Sequence, residues 1–186
     1  MKEIAKETLT VMIGILLALL INNWNDDRKE RKYLEQIYSS IQMELQEGVD
    51  NINTIIPEQL ASDDTIQAYL NNDQFSIYDL LIKSNGIHGP NIKTNSWQAL
   101  SNSKIELIEY ERLSALADIE ARSTNLTQRL EKQVDFIYRN FEDRSSAKKK
   151  ILRMMILDIV GAEKSVQSEM QALINNYPSK SIEAND

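Results

Sequence analysis

The stretch "LTVMIGILLALLINNWNDDRKERK", residues 9–32, decides how the rest of the chain is read. Its first thirteen residues, 9–21, carry no charge, and their single hydroxyl, on Thr10, can bond back to its own helix. At about 1.5 Å per residue, a hydrocarbon core of roughly 30 Å needs about twenty residues. A spanning helix must therefore take in residues 4–8 before the run and 22–24 after it. Those flanks suit the headgroup zone, where Lys6 can snorkel and the Trp24 indole serves as interface anchor. A cleaved signal peptide needs a basic leader and small residues at the cut. Here "MKEIAKET" sets two acids beside two lysines, and "LLINNW" has no such small-residue pattern. A soluble core helix would be apolar along a stripe, whereas this run is apolar on every face. The expectation is an uncleaved transmembrane anchor over residues 1–24.

One face of that helix carries Glu7, Thr10, Gly14 and Ala18. Gly14 and Ala18 form a small-xxx-small pair that lets two helix backbones approach closely in lipid. A carboxylate at the membrane boundary on the same face favours another chain or water over lipid. These four residues are the candidate membrane-helix association site, with a homo-oligomer or a membrane protein as partner.

Beyond the seam the pattern becomes amphipathic: Leu34, Ile37, Ile41, Leu45, Val49, Ile52 and Ile56 recur every three or four residues, one continuous helical stripe. No Pro or Gly interrupts residues 25–47, so the membrane helix is expected to run straight on until Pro57 stops it. Residues 57–107 look broken into short pieces by Asp63-Asp64, Asn71-Asn72-Asp73 and the loop "SNGIHGPN". Short helices fit around residues 65–70, 77–82 and 95–100, and "KIELIEY" suits a brief strand or the lead into a helix. A second stripe runs through Leu113, Leu116, Ile119, Leu126, Leu130, Val134, Ile137 and Phe141. After "DRSSAKKK" a third follows through Leu152, Met155, Ile159, Ala162, Val166, Met170 and Leu173. None can bury its face alone, so together they predict an antiparallel helical bundle over residues 25–177, with a flexible tail at 178–186. The composition agrees: Gly (5) and Pro (3) are too scarce for the turns of a β fold. The fold class is all-α, a transmembrane helix continuous with the bundle and short helices at the distal end.

If the first long helix climbs from the bilayer and the second returns, the turn before the third is membrane-proximal. Arg144, Lys148, Lys149, Lys150 and Arg153 would then join Arg28, Lys29, Arg31 and Lys32 in a basic collar at the lipid surface, nine of the twenty-one basic residues.

Residues 11–31, "VMIGILLALLINNWNDDRKER", resemble the start of an uncharacterised family of single-pass bacterial membrane proteins, common in Bacteroidota, built on G-I-L-I-A-L-x-I-N-N-W-N-E-x-R-K. Residues 94–113, "TNSWQALSNSKIELIEYERL", are similar to a second stretch of that family. The resemblance implies a bacterial inner-membrane anchor and a helical body and assigns no catalytic residue. For the side of the membrane, Arg28, Lys29, Arg31 and Lys32 after the span favour a cytoplasmic body. The basic leaders typical of that family, which this chain lacks, favour the opposite.

The net charge of -7 argues against nucleic acid, which is bound by neutralising phosphates. With no cysteine there is neither a disulfide, a thiolate metal site nor a thiol nucleophile. His88, the single histidine, reads as a solvent-exposed loop residue: a metal needs three or four ligands and a histidine base needs a positioned partner. Asp26-Asp27 and Asp63-Asp64 suit caps and turns, and Trp97 reads as core. No Walker loop, G-x-S-x-G or H-E-x-x-H occurs. The expectation is therefore a non-enzymatic protein with no cofactor, metal or evident small-molecule substrate. It would act as a membrane-anchored scaffold or sensor through protein–protein interaction; the alternative is a homo-oligomeric membrane pore or effector assembled through the N-terminal helix.

Overall fold

The computed structural model describes residues 2–177 and, among these, the side chains of Lys6 and of residues 8–177. The expected tail at 178–186 lies outside the described residues. Helix α1 spans Lys2–Ala68, α2 Ile77–Lys83, α3 Asn95–Ser103, α4 Tyr110–Arg139 and α5 Ser146–Asn176, with a 3-10 turn at Ile105–Leu107. No strand occurs among the described residues, so the protein is all-α. "KIELIEY" supplies the 3-10 turn.

Two units divide the chain, Met1–Ser40 and Ile41–Asp186. In the first, α1 has no buried residue among those described. In the second, the expected stripe is the buried one: Ile41, Leu45, Val49 and Ile52 from α1, Leu116, Ile119, Leu126 and Ile137 from α4, and Leu152, Ile159, Val166, Met170 and Leu173 from α5. A dense part of this core gathers Ile66, Ile77, Leu80, Ile137, Leu152, Ile156 and Val160. A fully buried Leu or Ile of this kind contributes about 1.5–3 kcal/mol.

Pro57 does not stop α1, which continues to Ala68. A proline inside a helix costs about 3 kcal/mol, yet Pro57 and Asn53 both lie on the exposed face, so the carbonyl left without its N–H partner faces water. Gln59 and Ile66 beyond it are buried, and their packing holds the helix on course. Asp63-Asp64 is likewise no break, because Arg153 from α5 clasps Asp63 with Nε–Oδ1 at 2.7 Å and Nη2–Oδ2 at 2.9 Å.

The path after α1 differs from the expected up-and-down order. A capping box starts α2, with Ser76 N–H donating to Asp79 at 2.8 Å and Asp79 N–H to Ser76 Oγ at 3.2 Å. The helix ends where Asn85 and Gly86 take positive φ values of 61° and 103°. From there the chain runs back beside α1: Gln59 reaches the His88 carbonyl, Asn51 takes the Asn91 N–H, Glu47 pairs with Lys93 and Glu44 accepts from Ser96. In helix, the step from residue 59 to 44 is about 22 Å; the eight residues from 88 to 96, nearly extended, cover about 26 Å. Gly89 and Pro90 keep that return non-helical, so eight residues do what a whole helix was expected to do. Thus α3 starts beside Glu44, α4 runs in the direction of α1, and only α5 is antiparallel to both. Of the short helices, α2 sits at the Ala68 end of the bundle and α3 does not.

Candidate functional site

Three helices place polar side chains at positions where their stripes call for apolar ones. Gln59 falls between Ile52 and Ile66 on α1, Ser123 and Gln133 flank Leu126 on α4, and Glu163 falls between Ile159 and Val166 on α5; all four are buried. Glu163 is fully buried, yet among the described residues no cation pairs with it. Gln59 Nε2 donates to Glu163 Oε1 at 2.8 Å and to the His88 carbonyl at 3.0 Å, tying α1 to α5 and to the returning segment. Burial pushes the Glu163 carboxyl up to about 7, with the Gln59 hydrogen bond opposing part of the rise. Two atoms of the pair, Gln59 Oε1 and Glu163 Oε2, have no hydrogen-bond partner among the described residues.

His88 is not a solvent-exposed loop residue. Its side chain is 16% exposed, with Nδ1 at 2.9 Å from Glu58 Oε2 and Nε2 at 3.0 Å from the Ser84 carbonyl. Both contacts are hydrogen bonds only when both ring nitrogens carry protons, since each faces an oxygen acceptor. Gln59, Ser62, His88 and Gln133, together with Ile66 and Ile156, line an adjoining cavity of about 20 Å³. That is room for about one water with several polar neighbours. No group of three His or acidic residues that could hold a metal occurs among the described residues. Chemically, this cluster can exchange a proton.

The sequence singled out none of Gln59, Ser123, Gln133 or Glu163. The available signal was the break of an apolar stripe by a polar residue on each of the three long helices. The α5 stripe is readable through Ala162 as well as through Glu163, and that ambiguity hides the acid.

The expected association face is only partly visible. Thr10 donates to the Lys6 carbonyl at 2.9 Å, as its helical spacing implies. Gly14 and Ala18 are exposed, and a Cβ on Gly14 would meet open space. The Glu7 side chain lies outside the described residues. Trp24 is exposed, with the Arg28 guanidinium 5.9 Å from its ring; Lys29 pairs with Asp26, and Arg31 and Lys32 are exposed.

The collar needs correction in its second half. It required the α4–α5 turn at the Ile41 end of the bundle, and α4 runs the other way. Ile77 N–H donates to the Asp143 carbonyl and Tyr78 N–H to that of Phe141, both at 3.0 Å, which puts the turn at the Ala68 end. Its cations serve the fold there. Arg144 donates to the Gln74 carbonyl at 2.9 Å, and Lys149, fully buried, donates to the carbonyls of Tyr69 at 3.2 Å and Asn72 at 2.6 Å. Lys148 lies 5.6 Å from the Phe136 ring, Arg153 holds Asp63 and Gln67, and Lys150 is exposed. Trp97, read as core, is buried and donates Nε1–H to Glu120 at 2.7 Å.

No protein-family model, curated protein or solved structure matches the chain.

Proposed function

We propose that this protein is a non-enzymatic, single-pass, membrane-anchored helical bundle that acts as a scaffold or sensor through contact with other proteins or with a second copy of itself. The observation that carries the reading is the state of residues 9–21. Their ten large apolar side chains are each between 49% and 65% exposed, on all sides of α1. An 18-residue window of that helix reaches a mean hydropathy of 1.5 with none of it buried. Covering those side chains is worth on the order of 10–20 kcal/mol, and an unbroken apolar cylinder is better covered by lipid than by one neighbouring helix. The helix meets the bilayer's central demand, since every backbone group within the run is bonded inside the segment. Trp24, Arg28 and Lys29 supply an aromatic and basic boundary. The likeness of residues 11–31 to single-pass bacterial proteins supports the same anchor.

The test is alkaline carbonate extraction of membranes from cells expressing the full chain, with protease protection of the bundle to report its side. The reading expects the chain to stay in the membrane pellet at full length. Release into the supernatant, or a shortened chain lacking residues 9–21, would overturn it.

A further inference from the structure

Inside the bundle the Glu163 carboxyl and the Gln59 carboxamide are joined by one hydrogen bond, Nε2–H to Oε1 at 2.8 Å. The remaining oxygens, Glu163 Oε2 and Gln59 Oε1, are both buried and both without a partner among the described residues. An ionised carboxylate offers acceptors only, so the charged pair can make one bond between its members and leaves two buried oxygens without a protein partner among the described residues. A neutral carboxylic acid carries one donor more. Placed on Oε2, that proton is the donor that Gln59 Oε1 lacks, and the two planar groups, already joined at Nε2–Oε1, would close a ring of two hydrogen bonds when turned to face each other. One proton thus satisfies both orphaned atoms and removes the uncompensated charge.

We propose that Gln59 and Glu163 form a proton-binding site that holds Glu163 as the neutral acid, and that losing this proton loosens α5 from α1 and from the segment carrying His88. The coupling to that segment runs through Gln59, whose second N–H reaches the His88 carbonyl at 3.0 Å. The charged groups around the site are committed elsewhere. On α1, Glu58 is paired with His88 and Asp63 with Arg153. On α4, Arg122 binds Ser165 and Glu169, and Arg129 binds Asp158; on α5 itself Lys164 is exposed. The upward shift of Glu163 accordingly comes from burial, not from a neighbouring charge. The inference concerns the bundle and stands whether or not residues 9–21 cross a membrane.

The sign follows from linkage. The folded value, about 7, lies above the unfolded 4.5. Below about 4.5 both states hold the proton, and between the two values only the folded state does. Stability therefore falls as pH rises through the window, and the loss is complete above about 7. The corresponding drop in the folding constant is about 300-fold.

The test is urea unfolding of the full chain in detergent micelles from pH 4 to 8, with infrared spectroscopy of the carboxyl C=O stretch. Wild type is expected to lose about two orders of magnitude in its folding constant across that range and to keep a protonated-carboxyl band at pH 6. Glu163→Gln presents an N–H where the neutral acid has its O–H. It should lack that band, lose most of the pH dependence, and at pH 8 be as stable as wild type at its acid optimum. His88→Gln should keep the band and most of the slope. Absence of a protonated carboxyl at pH 6 in wild type, a wild-type slope or failure to fold in Glu163→Gln, or a slope abolished by His88→Gln would each overturn the proposal.

Discussion

Lys149→Met separates a cation that serves lipid from one that serves the fold. Lys149 is fully buried on the first turn of α5, and its ammonium donates to the carbonyls of Tyr69 and Asn72, just past the C-terminus of α1. A cation there also answers the negative end of α1's dipole. Methionine keeps the length and apolar stem but removes every donor, leaving the Asn72 carbonyl short of a partner at about 1–3 kcal/mol, while the Tyr69 carbonyl keeps the Asn72 N–H at 3.2 Å. The loss is offset in part because burial already disfavours the charge. Desolvation holds the Lys149 ammonium below the usual lysine range, with Asp73 and Asp143 opposing the shift. The net expectation is a loss of about 1–2 kcal/mol, which in a domain of this size lowers Tm by about 2–8 °C. Thermal unfolding followed by circular dichroism on the full chain in micelles measures it, and Lys150→Met, at an exposed position, should move Tm by less than about 2 °C. Flotation with vesicles containing phosphatidylserine completes the assay. An unchanged Tm with lost vesicle binding in Lys149→Met would refute the structural role and restore the lipid-facing one.

Asp63→Ala strands the Arg153 guanidinium over a half-closed site and should cost about 2–4 kcal/mol, read as a lower urea midpoint; an unchanged midpoint means the fork contributes nothing. Ser76→Ala removes the side-chain half of the α2 capping box, a loss of about 1 kcal/mol. The Ser76 backbone and hydroxyl bonds also hold the Asp79 carboxyl below its usual 3.8. That stabilisation is present above 3.8 and is lost as pH falls through the lower folded value, so the variant should show a shallower acid loss. An acid limb identical to wild type's would contradict it. Ile15→Arg combined with Leu16→Arg puts two charges at the middle of the apolar run, at about 3 kcal/mol each on insertion. The doubly substituted chain should leave the carbonate-washed membrane pellet, and retention there would count against the anchor.

What was legible in the sequence was local. Helical periodicity is set by neighbours three and four residues apart, so the stripes through Ile41, Leu45 and Val49, through Leu116 and Ile119, and through Leu152 and Ile159 could be read directly, and all of these residues are buried. The helices α2 and α3 lay close to their expected spans for the same reason. Pro57 misled because propensity is judged without knowing which face of the helix meets water. The direction of α4 was hidden because it depends on whether residues 84–94 run as turn or as extended chain. Glu163 was hidden because one charge within a long stripe resembles a stripe whose phase has drifted to Ala162.

The polar residues in this core also account for why α1 and α5 pack in one register. Leu, Ile and Val contacts are forgiving, and a slide of one helical turn replaces one aliphatic neighbour with another. The polar contacts are not interchangeable. From Asn53 and Gln167, through Gln59 and Glu163, to Asp63 with Arg153 and finally the Tyr69 carbonyl with Lys149, four pairings descend α5 as they climb α1. A shift of one turn would set the Glu163 carboxyl against aliphatic side chains and leave the Lys149 ammonium buried without a carbonyl. Each unpartnered charge would cost several kcal/mol, more than the aliphatic contacts could return. Of the four pairings, the one at Glu163 changes protonation state near neutrality, because burial pushes that carboxyl up to about 7. The register is therefore fixed by the ends of the α1–α5 contact, so losing the Glu163 proton loosens α5 from α1 at the centre without shifting it by a turn.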